Sequence, residues 1–222
     1  MNERYPAALD ELMEFLRALP GVGKRSAERM ALQFLTWDEG RLEAFGSTVG
    51  SLKKLVGFCP VCGNLTSMEM AGEELKASLC PICLSPSRDR SVLCVVEEFP
   101  QIRSIESSNV FRGVYHVLGG RIAPLEGRGV ESITADALEK RLESGAFREI
   151  IFALSPDVEG QATALYLDKR FKRFGLRTSR LAQGLPAGSD LSYADPATVA
   201  AALSNRTSFE KADPAGGEDG GI

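Results

Sequence analysis

A single histidine stands among the 222 residues of this chain, and the common nucleotide and nucleophile signatures are missing as well. No P-loop pattern occurs, which removes the backbone phosphate cradle of that enzyme class. No Gly-x-Ser-x-Gly occurs, which removes the exposed serine of a hydrolase elbow. The lone His116 falls within a predicted strand, has no obvious partner in sequence and is read as structural. There is no run of eighteen apolar residues and no positive, apolar and small-residue succession at the N-terminus. The chain is therefore expected in the cytoplasm, with no membrane partner. Basic charge is not in excess either: 26 Lys and Arg face 30 Asp and Glu, a formal net charge of −4. The chain as a whole does not attract nucleic acid, so such binding has to come from local basic surface. Internal repeats are absent.

What is present begins with cysteine. Four of the five cysteines fall in two equal steps, Cys59-Pro-Val-Cys62 and Cys80-Pro-Ile-Cys83, with seventeen residues between them. Two such knuckles at this separation are the sequence form of a four-cysteine zinc site. The two-residue gap lets both thiolates of a knuckle face one tetrahedral ion, and the second knuckle closes the shell. Four sulfur ligands leave no position for water, so the site builds structure and does not activate a nucleophile. Two disulfides or a redox-active pair are the rival readings. Cys94 lies in the apolar run Ser91–Val96 and reads as a small buried hydrophobe.

At 44% hydrophobic and 25% charged, the composition is that of a globular protein, long enough for one or two domains and a small module. Within an N-terminal region 1–57, residues 6–57 read as helical, with Leu9, Leu12, Met13 and Leu16 at helical spacing behind Pro6. A break at Pro20-Gly-Val-Gly23 precedes a helix from Ser26 to Leu35, and a third pattern runs from Glu39 to Val56. Residues 58–86 form the cysteine module, too poor in apolar residues to fold without a cross-link or metal. Over 87–183 short apolar runs alternate with helical patterns: strands near 91–97, 113–118, 148–154 and 176–182, helices near 99–107, 134–144 and 159–174. This alternation predicts an α/β fold with a mostly parallel, Rossmann-like sheet. A C-terminal segment, 184–206, carries one helix from Pro196 and is expected to contact another subunit. Residues 207–222, Gly-rich and acidic, read as a disordered tail.

Three places could carry chemistry. The segment Leu19 to Ala27 places Gly21 and Gly23 in a tight turn before a helix start, where backbone N–H groups and the helix dipole favour an anion. Lys24, Arg25 and Arg29 follow and could grip the same phosphate backbone, holding DNA without reading bases. An ordinary helix corner is the plainer reading. Glu97 ends one strand while Asp157 and Glu159 follow another; carboxylates at strand ends suit Mg²⁺, though turn and helix-start acids look the same in sequence. The basic strip Lys169, Arg170, Lys172 and Arg173 is either a further phosphate contact or a solvated helix face.

In this order the parts resemble the RecR family of bacterial recombination mediators. The resemblance spans about residues 5–206 and rests on Leu19-Pro-Gly-Val-Gly23 with Lys24-Arg-Ser-Ala27, which looks like a helix-hairpin-helix. It rests also on the cysteine spacing, Cys94-Val-Val-Glu97, Val117-Leu-Gly-Gly120, Pro124-Leu-Glu-Gly127, Pro156-Asp-Val-Glu-Gly-Gln-Ala-Thr163, and Gly184-Leu-Pro-Ala-Gly188 leading to Asp195. It implies a Toprim domain, one structural Zn²⁺ per chain and DNA contacts at Arg25 and Arg29. The Toprim acidic motif is degenerate here, because Ser155 stands where catalytic members carry the first aspartate. Mg²⁺ at Glu97, Asp157 and Glu159 is accordingly not expected. The resemblance further implies a non-enzymatic homotetrameric clamp on single-stranded, double-stranded or gapped DNA, working with RecO and in some cases RecF to load RecA. The competing expectations are a Mg²⁺-dependent Toprim nuclease or related DNA-processing enzyme, and a zinc-ribbon adaptor without DNA contact.

Overall fold

The computed structural model of the protein describes residues 5–207; the tail reading, from Ser208 onward, lies outside them. Contacts divide the chain into two compact units. One holds the residues up to Gly57 together with Ser67–Ala77, and the other holds Phe58–Thr66 and the chain from Ser78.

In the first unit, α1 (Ala7–Arg17) starts behind Pro6, and α2 (Lys24–Phe34) follows after a short connection. Gly21 makes that connection with φ +77°, a conformation that costs other residues a Cβ clash. Asp38 caps α3 (Glu39–Leu55) by accepting from Arg41 N at 3.0 Å, while Lys53 and Lys54 complement the negative end of the same helix. Phe34, Trp37 and Phe45 pack ring to ring at the α2–α3 corner, with centroids 4.7, 5.1 and 5.8 Å apart. The cysteine segment also contributes strands that its sequence did not announce: β1 (Val56–Phe58), β2 (Leu65–Ala71) and β3 (Glu74–Ala77), ordered β1-β2-β3. β2 and β3 pair antiparallel from Met68↔Ala77 to Ala71↔Glu74, turning at Gly72 with φ +70°. Their alternation is weak because neither face is buried, so no hydrophobic period marks them.

In the second unit, α4 (Pro81–Leu84) is one turn of the second knuckle. After it come β4 (Val92–Val96), α5 (Phe99–Ser107), β5 (Val114–Val117), α6 (Ala135–Ser144), β6 (Glu149–Ala153), α7 (Val158–Phe171), β7 (Arg177–Arg180) and α8 (Pro196–Ser204). The strands form a parallel sheet in the order β5-β4-β6-β7, as the alternation of the sequence predicts. β4 is hydrogen-bonded on both sides, Leu93 standing between Val114 and Ile150. Its alternate side chains feed two cores. Leu93 and Val95 pack with Leu138, Leu142, Leu167 and Phe171, whereas Cys94 and Val96 pack with Ile102, Tyr115 and Ala153.

Leu138 of α6 is fully buried in the larger core. Leu138→Ala is expected to cost about 2–5 kcal/mol, as deletion of a buried leucine side chain does. The midpoint of urea unfolding followed by circular dichroism reports it, and an unchanged midpoint would contradict this packing.

Candidate functional site

The two knuckles close by local backbone bonding. Cys59 N donates to Asn64 O at 2.7 Å and Gly63 N to Cys59 O at 2.9 Å, with Gly63 at φ +76°. Pro81 opens α4, and Leu84 N returns to Cys80 O at 3.0 Å. These turns aim Cys59, Cys62, Cys80 and Cys83 at one point: the four sulfurs all lie within 4.8 Å of one another, and Cys62 and Cys80 Sγ are 3.5 Å apart. Tetrahedral zinc with Zn–S near 2.3 Å places its sulfurs about 3.8 Å apart, so the set fits such an ion. All four are buried thiols and none is joined in a disulfide. As bare thiols Cys62 and Cys80 resist ionisation: the hydrogen bond to Cys83, then burial, holds Cys62 far above the ordinary thiol range, and burial raises Cys80. A divalent cation removes that conflict by taking four thiolates at once. Among the described residues no other group of three or more His, Cys, Asp and Glu brings its ligand atoms this close.

The hairpin between α1 and α2 exposes a different chemistry. α2 begins at Gly23 without a side-chain cap, so its first N–H groups face outward from the dipole's positive end. Lys24, Arg25 and Arg29 are exposed, and among the described residues none of them joins an ion pair. Arg25 and Arg29, four apart, share one helix face and line a groove of about 430 Å³ with Leu32, Gln33 and Thr36. The helix itself starts at Lys24, two residues earlier than its apolar pattern indicates, because the Gly23 carbonyl already accepts the first rung of the ladder, from Ala27 N at 3.0 Å.

The strand-end acids are satisfied from within the protein. Glu97 is 7% exposed, and its two carboxylate oxygens accept from Ser155 N and Ser155 Oγ, each at 2.8 Å. Asp157 caps α7 through Gly160 N at 2.8 Å and receives Arg121 Nη1 at 2.5 Å. Glu159 lies in the first turn of α7 and does not converge with the other two. Gly160 is the hinge of this packing: a Cβ there would sit 2.1 Å from Ser155 O and 3.1 Å from Glu97 Oε1. Three residues on, Thr163 Oγ1 accepts from Ile122 N at 3.0 Å and donates to Glu159 O, fastening the 119–123 loop to α7.

The rest of the basic strip is used otherwise. Arg170 pairs with Asp136 at 2.6 Å and Glu139 at 2.5 Å, and Arg173 with Glu139 and Glu143 at 3.1 and 2.8 Å, tying α7 to α6. Sequence reasoning missed Arg121, whose partner lies 36 residues away and leaves no local signal.

Family models cover most of the described chain: "RecR, helix-hairpin-helix" matches residues 9–50, "Toprim domain" 91–182, and "RecR, C-terminal" 184–207. A protein called "Recombination protein RecR" from Bifidobacterium longum subsp. infantis is 40% identical over 202 residues, covering 91% of this chain and 96% of its own. Its namesake from Parabacteroides distasonis is 40% identical over 210 residues (94% and 97%), and that from Bacteroides thetaiotaomicron is 37% identical over 211 (94% and 98%). The chain belongs to the RecR family. The RecR parts thus fall in order on α1–α3, on the parallel sheet and on α8. At the end of β4 in this RecR-family chain, Glu97 is turned onto the amide and hydroxyl of Ser155.

Gly160→Ala is expected to cost about 1–3 kcal/mol, the usual penalty of overpacking. Gly46→Ala on α3, where a Cβ meets open space, is the control and should stabilise by about 0.4–1 kcal/mol. Thermal unfolding of the two variants against the parent measures the contrast.

Proposed function

We propose that the chain is a non-enzymatic DNA clamp in recombinational repair, which acts with RecO, and with RecF where present, to promote RecA loading on gapped or single-stranded DNA. One observation carries the DNA contact: unpaired Arg25 and Arg29 on one face of α2, behind an uncapped helix start. Amides and guanidinium groups so placed hold phosphates and leave the bases unread, which suits a clamp that meets any sequence. The relatives' name, recombination protein, supports the process. The absence of chemistry is supported by Glu97, whose oxygens are both taken by Ser155, and by Asp157, held between Gly160 and Arg121.

A homo-oligomer, tetrameric as in the family, is supported by the first unit's thin core. Among its described residues only Leu9, Ala27 and Ala31 are buried, while Phe45, Val49 and Leu52 form an exposed apolar row on α3. A second copy is the partner able to cover that row, since self-association presents the same row twice. The cysteine set is proposed to hold one structural Zn²⁺ per chain.

Three measurements test this. The Arg25→Ala, Arg29→Ala double variant should lose most DNA affinity with its fold intact, and the slope of log affinity against log salt should flatten by about 1.4–1.8, from two lost phosphate contacts. Normal affinity in that variant would move the DNA site elsewhere. Strand cleavage that needs Mg²⁺ and disappears in Glu97→Ala would replace the clamp with a Toprim nuclease. Purified protein should hold about one zinc per chain, and Cys62→Ser should lose the metal and loosen the knuckles, given that structural zinc contributes about 10–16 kcal/mol in small peptides. Atomic absorption reading well under one zinc in a folded parent would remove the metal.

A further inference from the structure

Arg141 is a cation without an acid. It projects from α6, half-buried, and its Nη1 donates to Tyr115 O on β5. Among the described residues no carboxylate pairs with it. The charged groups near it, Lys140 and Arg90, are themselves cations. The guanidinium lies 5.7 Å from the Phe147 ring centroid, and it lines one cavity of about 460 Å³ with His116, Thr134 and Cys59, Pro60, Val61 and Gly63 of the first knuckle. His116 is neutral there. Thr134 Oγ1 gives its one proton to Val117 O at 2.9 Å and so accepts from His116 Nε2 at 3.0 Å, which leaves Nδ1 a bare acceptor. Burial, then Arg141 itself, holds the His116 pKa down to about 4. A guanidinium withdrawn from water among a carbonyl, a ring and a neutral imidazole is costly unless an anion compensates it.

The anion available is the cysteine set. Four thiolates around one Zn²⁺ leave a net charge of −2 in a buried site. We propose that Arg141, with Arg90 on the opposite knuckle, is the counter-cation of the metal-loaded cysteine cluster and couples zinc retention to the sheet. This rests on the zinc reading above. Burial works against the charge of Arg141, Cys83, Cys62 and Cys59 favour it in that order, and the nearby Arg90 opposes it more weakly, so the two cations need a shared anion. Arg90 Nη2 donates to Cys83 O at 2.8 Å, bringing a second positive charge to the other knuckle. The first knuckle is fixed to the sheet beside Arg141: Val117 N donates to Cys62 O at 2.8 Å, and a Cβ on Gly63 would lie 3.1 Å from Val117 Cβ. Ile82 of the second knuckle packs into the smaller core with Phe99 and Ile105. The metal site and the two cations thus form one charge-balanced block on the β5 edge, with Arg141 a positioning residue that touches no metal.

The test uses full-length protein in four forms: parent, Arg141→Gln, Arg141→Lys and Leu142→Ala. Gln keeps an N–H donor for Tyr115 O and removes the charge, whereas Lys keeps the charge. Leu142→Ala weakens the same helix from the large core and is the stability control. Zinc affinity is read by competition with a chromophoric chelator, alongside the thermal midpoint. Arg141→Gln should lose zinc affinity about 10-fold, the lower end of outer-shell effects on metal sites. Arg141→Lys should recover most of it, and Leu142→Ala should lower the midpoint with zinc affinity unchanged. Should Arg141→Gln not fold, Arg90→Gln carries the same expectation for zinc. Equal zinc affinity in the Gln variant and the parent, or a Lys variant no better than Gln, overturns the proposal. A parent protein that binds no zinc fails differently, by removing the metal site itself.

Discussion

The double-sided pairing of β4 is the constraint on which the second unit depends. A strand hydrogen-bonded to β5 on one side and β6 on the other has no backbone group left to offer, so its side chains decide everything. Leu93, Cys94, Val95 and Val96 are each at most 2% exposed and serve two cores at once. From this axis β5 is placed to receive the first knuckle at Val117. β6 is placed to deliver Ser155 to the end of β4, where Glu97 waits. A shift of one residue in β4 would exchange the two cores and move Glu97 off its partner.

On the proposed reading, that junction also explains how an acidic strand end fits a scaffold without a catalytic task. A buried carboxylate without donors would be expensive. Two donors from one serine, with the Gly160 backbone packed against the same oxygens, make Glu97 a joint between β4 and the start of α7. Asp157 does the same for the loop carrying Arg121. On the proposed reading these acids are structural, and losing one should loosen α7 before it alters any chemistry.

Much of this was legible in the sequence, and the reason differs by element. The β4, β5 and β6 strands announce themselves as apolar β-branched runs because both faces are buried. The helices announce themselves by their period, while the caps that Asp38, Asp157 and Asp195 supply emerge only in the fold. The cysteine convergence follows from spacing alone. The β2–β3 hairpin was not legible, since its side chains are mostly exposed and no burial imposes a period. Pairings across long separations, Ser155 with Glu97 or Arg170 with Glu139, were also hidden, because charge and polarity in a sequence do not say what they will meet. The fate of Lys169 to Arg173 shows the consequence: two of its four cations tie α7 to α6 and leave little for a phosphate.

On the proposed reading, that loss concentrates the DNA-facing charge on the hairpin, and the hairpin is small. Three cations on a chain of net charge −4 neutralise few phosphates, so one copy would hold DNA weakly and release it readily in moderate salt. Grip of useful strength then has to come from several copies acting on one strand, where the second contact benefits from the effective concentration set by the first. The exposed row Phe45, Val49 and Leu52 lies in the same unit as Arg25 and Arg29. If copies associate through that row, the hairpins are gathered by the same contact that completes the core. Oligomer formation and DNA affinity would on this account rise and fall together, and a charge placed on α3 would weaken DNA binding without touching a phosphate contact.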